Sequence, residues 1–180
     1  MTPGQSHPSE SPTWEDCITH PAQRKNSHGV VHSASISADT LPQGGTSDYA
    51  PEMIHNAFQD KAYTCFVGPE SCIPFMVMPD AINAIMQLMQ TDKTKLTKIA
   101  YHIQSFAPMV KDIHEKIISI FPRFKLEYDI DIKRQNLIDS WPSTLNQDSA
   151  VTDWNWDPKY NFDDAFDNYL IPNIKKKYKG

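Results

Sequence analysis

Three of the four tryptophans crowd into one stretch, Asp139-Ser140-Trp141-Pro142 followed by Asp148-Ser149-Ala150-Val151-Thr152-Asp153-Trp154-Asn155-Trp156. Large flat side chains in a segment punctuated by Pro, Ser and Asp suit a lid or pocket wall. Trp141, beside a proline turn, could exclude water from a reacting centre, and it could equally be a core residue. Trp154 and Trp156 read as packing residues. The second candidate is Gly44-Gly45-Thr46, just ahead of a helical pattern. Glycines there allow close approach of a ligand, and exposed amides at a helix start suit a carboxylate. A plain turn with a Thr or Ser cap is the simpler reading of the same residues.

Other chemistries find no support in the residues. His55, His102 and His114 are isolated, and no H-E-x-x-H or paired Cys-x-x-Cys offers metal-ligand spacing. There is no G-x-S-x-G for a nucleophile elbow. Asp129/Asp131 and Asp163/Asp164 read as strand-end and helix-start charges. A dinucleotide fold needs closely spaced glycines after a strand, yet Gly44-Gly45 is the only adjacent pair and no G-x-G-x-x-G occurs. No tyrosine has Lys four positions on. A net charge of −5 argues against a nucleic-acid surface. No apolar run approaches the ~20 residues that span a bilayer, so the chain reads as soluble. Cys17, Cys65 and Cys72 suit a reducing compartment, the last two as small buried residues.

The elements that must position these residues follow from apolar periodicity. Residues 1–35 are rich in Ser, Pro, His and Thr, lack a periodic apolar face, and read as disordered. Met53, Ile54, Ala57 and Phe58 predict a helix over 48–60, with Pro51 displacing its start. Residues 63–67 and 74–78 read as strands. Pro79 and Asp80 open a helix whose inner face is predicted to be Ile82, Ile85, Met86 and Met89. Residues 100–104 predict a strand, and 108–121 an amphipathic helix with Val110, Ile113, Ile117, Ile120 and Phe121 inward. Alternation over 125–130 predicts a half-buried strand with Leu126, Tyr128 and Ile130 inside. A last helix over 163–171, with Phe162, Phe166 and Leu170 inward, is predicted to stop near Pro172. The lysines at 175, 176, 177 and 179 read as a solvated tail.

D-S-W-P, a gap, then D-S-A-x-x-D-W-x-W resembles the carboxy-terminal signature of the short-chain-type, NAD-dependent L-threonine 3-dehydrogenases, which are extended short-chain dehydrogenases related to nucleotide-sugar epimerases. Gly44-Gly45-Thr46-Ser47-Asp48-Tyr49-Ala50 is similar to that family's G-G-T-T-D-Y-A. The resemblance begins at Ile36 and runs to the end. Its abrupt onset leads us to expect a truncated or mis-started product. It implies an α/β, incomplete extended short-chain dehydrogenase fold, with 36–180 as the substrate-binding, carboxy-terminal part. It implies L-threonine as the substrate of a complete enzyme, bound by Gly45, Thr46 and Trp141, and NAD as its cofactor. Without the glycine-rich turn and Tyr-x-x-x-Lys, the chain alone is expected to bind no cofactor and to be inactive. A homodimer, or pairing with a nucleotide-binding half, is implied, in the cytoplasm or, in a eukaryote, the mitochondrial matrix. A non-catalytic binding module and an epimerase fragment are the alternatives. Lys133-Arg134-Gln135 matches a K/R-R-Q stretch read as scaffolding for the tryptophan loop. Two departures stand out: Cys72-Ile73-Pro74 where relatives carry Arg before Leu-Pro, and Ser33-Ala34-Ser35 in place of Arg-x-Pro-Gly.

Overall fold

The computed structural model describes residues 28–178. Short parallel strands alternate with helices, giving the α/β class expected. The elements are β1 (Gly29–His32), β2 (Ala34–Ile36), α1 (Tyr49–Phe58), β3 (Tyr63–Cys65), β4 (Phe75–Val77), α2 (Met78–Gln90), β5 (Ala100–Ile103), α3 (Val110–Ile120), β6 (Leu126–Tyr128), α4 (Ile132–Asp139), α5 (Asp148–Trp154), α6 (Phe162–Asp164) and α7 (Ile171–Lys177). Three parallel pairs form, β1 with β5, β2 with β4 and β3 with β6.

Strand β4 divides the interior. Successive strand side chains point to opposite faces. Phe75 and Val77 therefore join one core with Tyr49, Met53, Ile113, Ile117, Phe166 and Leu170. Met76 joins another with Ala84, Leu88, Tyr101, Ile103, Trp154 and Trp156. A strand buried on both faces needs a continuous apolar run, which is what residues 74–78 supply.

Several expectations are corrected by tertiary context. The unpatterned segment expected through residue 35 includes strand from Gly29 onward. Val30 and Val31 are β-branched, and pairing with β5 satisfies the backbone that their short run could not satisfy alone. The remainder, residues 1–27, lies outside the described residues. Helix α1 is not displaced by Pro51, which sits in the first turn where its missing N–H would have no intrahelical partner. Pro172 does not end the last helix either. A π-helical stretch, Ala165–Leu170, leads into α7 with the proline in its first turn, and Ile174 extends the buried stripe of Phe166 and Leu170. In β6 only Leu126 is partly buried, while Tyr128 is exposed and Ile130 beyond it likewise.

The largest correction concerns α2. It buries Asp80, Ala81, Ala84 and Leu88 and leaves the predicted inner stripe outside. The Asp80 carboxylate sets the rotation. It accepts hydrogen bonds from Ser105 Oγ at 2.7 Å, Lys159 N at 3.0 Å and Tyr160 N at 3.2 Å. A buried carboxylate requires such donors, so it faces the protein and carries positions 81, 84 and 88 inward with it.

Candidate functional site

The glycine loop is held at both ends of its backbone. Asp48 Oδ2 accepts from Gln43 N at 2.9 Å and Gly45 N at 2.8 Å. Gly44 has φ +87°, a left-handed conformation that favours glycine. A Cβ at Gly45 would lie 3.2 Å from Asp48 Oδ2 and crowd that carboxylate. Arg134 closes the other side. Its Nη2 donates to Gly44 O at 2.5 Å and Gly45 O at 3.0 Å, while its guanidinium lies 3.5 Å above the Phe66 ring. Asp131 caps α4 by accepting from Lys133 N and Arg134 N, which fixes where the guanidinium departs. Gln135, one residue on, accepts from Gly68 N at 2.8 Å and donates to Ser71 Oγ at 3.0 Å and Asp139 Oδ1 at 2.7 Å. Within the Lys133-Arg134-Gln135 stretch it is thus Arg134 that braces the glycine loop, a role that sequence could not assign because the partners are distant in the chain, while Gln135 ties Gly68 and Ser71 to Asp139 at the head of the tryptophan motif.

Trp141 follows α4, its N donating to Ile138 O at 3.0 Å, with Ile138 anchored in the core. The residue is 38% exposed, so it is a wall and not a core residue. It lines a cleft of about 460 Å³ with Ser33, Ser47, Pro74, His102 and Leu145. The structure therefore brings Trp141 together with Ser47, the neighbour of Thr46. Gly45 and Thr46 belong to the same loop but do not line this cleft. Ser47 was legible only as the second hydroxyl of the G-G-T-T-like motif, and His102 carried no motif. His102 sits on β5, and the lining includes no Lys or Arg.

The tryptophan loop is tied to its surroundings by side-chain amides. Gln104 N donates to Gln147 Oε1 at 2.8 Å, and Leu145 N donates to Gln104 Oε1 at 2.6 Å. Cys72 points its thiol at Ala107 O, 3.3 Å, and Ser143 O, 3.8 Å. Burial, with Asp112 nearby, pushes that thiol up and keeps it neutral. It packs the loop but supplies no charge.

The second half of the signature is structural. Trp154 and Trp156 are buried with ring centroids 5.5 Å apart, and Tyr101 meets Trp154 edge-on at 5.8 Å. Trp156 Nε1 donates to Gln147 Oε1 at 2.8 Å. Asp153 Oδ2 accepts from Tyr101 OH at 2.5 Å, Thr97 Oγ1 at 2.7 Å and Thr97 N at 2.8 Å. Those bonds, Tyr101 foremost, hold the Asp153 carboxyl below its usual range.

Comparison with known proteins bears on the fold that carries this site. No family model matches the chain. An epimerase/dehydratase of Staphylococcus saprophyticus is 36% identical over 145 residues, 80% of this chain and 45% of its own length. The L-threonine dehydrogenase of Clostridium difficile superposes with a TM-score of 0.81 at 33% identity, covering 86% of this chain and 49% of that one. A UDP-glucose 4-epimerase from Thermotoga maritima, at 13% identity and a TM-score of 0.66, shares the fold alone, over 84% of this chain and 46% of that one. The class is thus the GalE-like, extended short-chain dehydrogenase fold, of which this chain holds part. Within that class its structural neighbours are the L-threonine 3-dehydrogenases, and its curated relatives are epimerase/dehydratases. The chain spans about half the length of the relatives it matches.

At the β4–α2 junction the described residues offer a dinucleotide no cradle. The strand-to-helix junction of β4 and α2 runs Val77 directly into Met78-Pro79, with no glycine turn to admit a pyrophosphate. The Gly45 N–H, the kind of donor a pyrophosphate takes, already donates to Asp48 Oδ2 at 2.8 Å. Among the described residues no helix is long and apolar enough to cross a membrane, and no cluster of His, Cys, Asp and Glu could hold a metal ion.

Proposed function

We propose that this chain forms the substrate wall of an L-threonine 3-dehydrogenase-type oxidoreductase, in which NAD accepts the hydride in the complete enzyme. The observation that carries the reading is the convergence of the glycine loop, through Ser47, and Trp141 on one cleft. In this reading Trp141 covers the substrate and keeps water from it, while the hydroxyl of Ser47, next to Thr46 on the loop, orients its polar groups. Gly45 shapes the backbone beside them. Arg134 and Asp48 hold the loop in place before substrate arrives, so little ordering cost remains at binding. The proton-handling Tyr/Lys pair and the cofactor cradle have to come from elsewhere, so the 180-residue chain alone oxidises no threonine. Losing a positioned base removes about 10²–10⁴-fold before any loss of cofactor positioning.

The experiment joins the chain to the nucleotide-binding half of a threonine dehydrogenase and measures kcat/KM for threonine. Trp141→Ala is expected to lower kcat along with affinity. Ser47→Ala and Thr46→Val separate the two hydroxyls, the one in contact costing roughly 1–3 kcal/mol, or ~5–150-fold. Wild-type kcat/KM in all three variants would show the motifs to be structural only. Saturable NADH production from threonine by the unjoined chain would equally defeat the reading.

A further inference from the structure

Among the described residues β5 pairs only with β1. Parallel pairing turns the peptide groups of Tyr101 and Ile103 toward β1, and those of Ala100, His102 and Gln104 to the outer edge. What that edge takes is visible at Gln104, whose N–H donates to the side-chain oxygen of Gln147 at 2.8 Å. Two residues back, the same edge forms one side of a cleft of about 320 Å³. Ala100, Tyr101 and His102 line it from the strand, Asn146 and Ser149 from the α5 side, and Lys98 completes it. His102 also lines the Trp141 cleft, so the two clefts adjoin there.

The side chains around this second cleft divide unevenly. Its acids are used up: Asp153 accepts from Tyr101 OH and from Thr97, and Asp148 Oδ2 accepts from Asn146 Nδ2 at 2.9 Å. Its donors are left over. Lys98 has no carboxylate within ion-pair reach among the described residues. The His102 ring and the Ser149 hydroxyl make no hydrogen bond among them either. The outward N–H of His102 adds a donor from the backbone. Spare donors, one of them charged, select an anion that only accepts.

We propose that this cleft is a phosphate site, held by Lys98, His102 and Ser149. The donors come from β5 on one side and α5 on the other, so an ion with oxygens on every side reaches more of them than a planar carboxylate does. An added strand is excluded, because Gln104 at the end of that edge is already held by Gln147 and by Leu145 N, which donates to Gln104 Oε1 at 2.6 Å. Lys98 and His102 are open to solvent, which lets the ion enter without movement of the chain. His102 is the one residue common to this cleft and the Trp141 cleft. The site therefore does not rest on the substrate assignment, and the two readings fail separately.

Inorganic phosphate is titrated into the isotope-labelled full chain at constant ionic strength, with backbone amide shifts as the readout. Saturable shifts are expected at Ala100, His102 and Ser149. Lys98→Gln should weaken binding about fivefold or more, and Ser149→Ala about threefold. Lys125→Gln, which removes the same charge from an exposed position just before β6, should leave it unchanged. Acetate should bind about tenfold more weakly than phosphate. Glycerol phosphate distinguishes the source of the group. Tighter binding than inorganic phosphate, with the gain lost in Trp141→Ala, supports an ester whose body reaches past His102 into the neighbouring cleft. Equal affinity supports the free ion. Shifts that do not saturate or that spread over other lysines overturn the proposal, as does affinity indifferent to Lys98→Gln or acetate binding as tightly as phosphate. Circular dichroism checks that the variants fold, and if Lys98→Gln does not, the wild-type shift map and the acetate comparison decide.

Discussion

Helices α3 and α2 carry the same kind of apolar pattern and meet opposite fates. In α3 the stripe of Val110, Ile113 and Ile117 is buried against α1 and the last helical segment, as its periodicity predicts. In α2 the stripe of Ile82, Ile85, Met86 and Met89 faces out, and a narrower line of Ala81, Ala84 and Leu88 packs inward. The pattern reports that a helix has an apolar face. It does not report whether the chain itself covers that face, because coverage is a property of what packs alongside.

The sharpest way to break the comparison is to shorten a buried member of the α3 stripe. Ile117→Ala should cost about 2–5 kcal/mol in urea denaturation, since it leaves a cavity that neighbours only partly refill. Survival with stability unchanged would show that α3 is not packed as described. Next comes the pin that sets the rotation of α2. Asp80→Ala leaves the Ser105 hydroxyl and the Lys159 and Tyr160 amides without their acceptor. The loss should be about 2–4 kcal/mol, and thiol labelling of an Ile85→Cys background should change as α2 turns.

A pH effect of smaller size tests the core beneath α1. His55 is buried there with its Nδ1 2.8 Å from the Tyr178 hydroxyl. Burial, with the Lys177 charge beyond it, holds the imidazole below its ordinary 6.5. Below 6.5 the unfolded chain takes up a proton that the folded chain resists. The stability His55 contributes is therefore full above 6.5 and declines as pH falls from there toward the folded value. Urea midpoints compared on either side of that window should fall with acid, and His55→Gln should flatten the slope. The smallest effect belongs to the exposed stripe: Ile85→Ala in the chain alone should stay within ~0.5 kcal/mol of wild type. A loss as large as that at Ile117 would mean that α2 already has a cover.

The tryptophan signature divides in a similar way. Trp141 is left half-open beside Ser47, whereas Trp154 and Trp156 are sealed against Tyr101. The sequence already set Trp154 and Trp156 apart as packing residues and left Trp141 open between wall and core, and its 38% exposure decides for the wall.

By itself the sequence determined the order of elements from α1 to β6, the burial of β4, the α3 stripe and the glycine-loop and tryptophan motifs. Each depends on residues close in the chain, where period two or 3.6 and turn chemistry act locally. Tertiary structure alone decided that Gly29–His32 and Ala34–Ile36 are strands, that Ile132–Asp139 and Asp148–Trp154 are helices, that Arg134 braces Gly44 and Gly45, and that Ser47 is the loop residue lining the cleft with Trp141. It also decided which way α2 turns. Those outcomes rest on pairings between distant segments, above all a buried carboxylate that had to find its donors, and no local period encodes where such donors will lie.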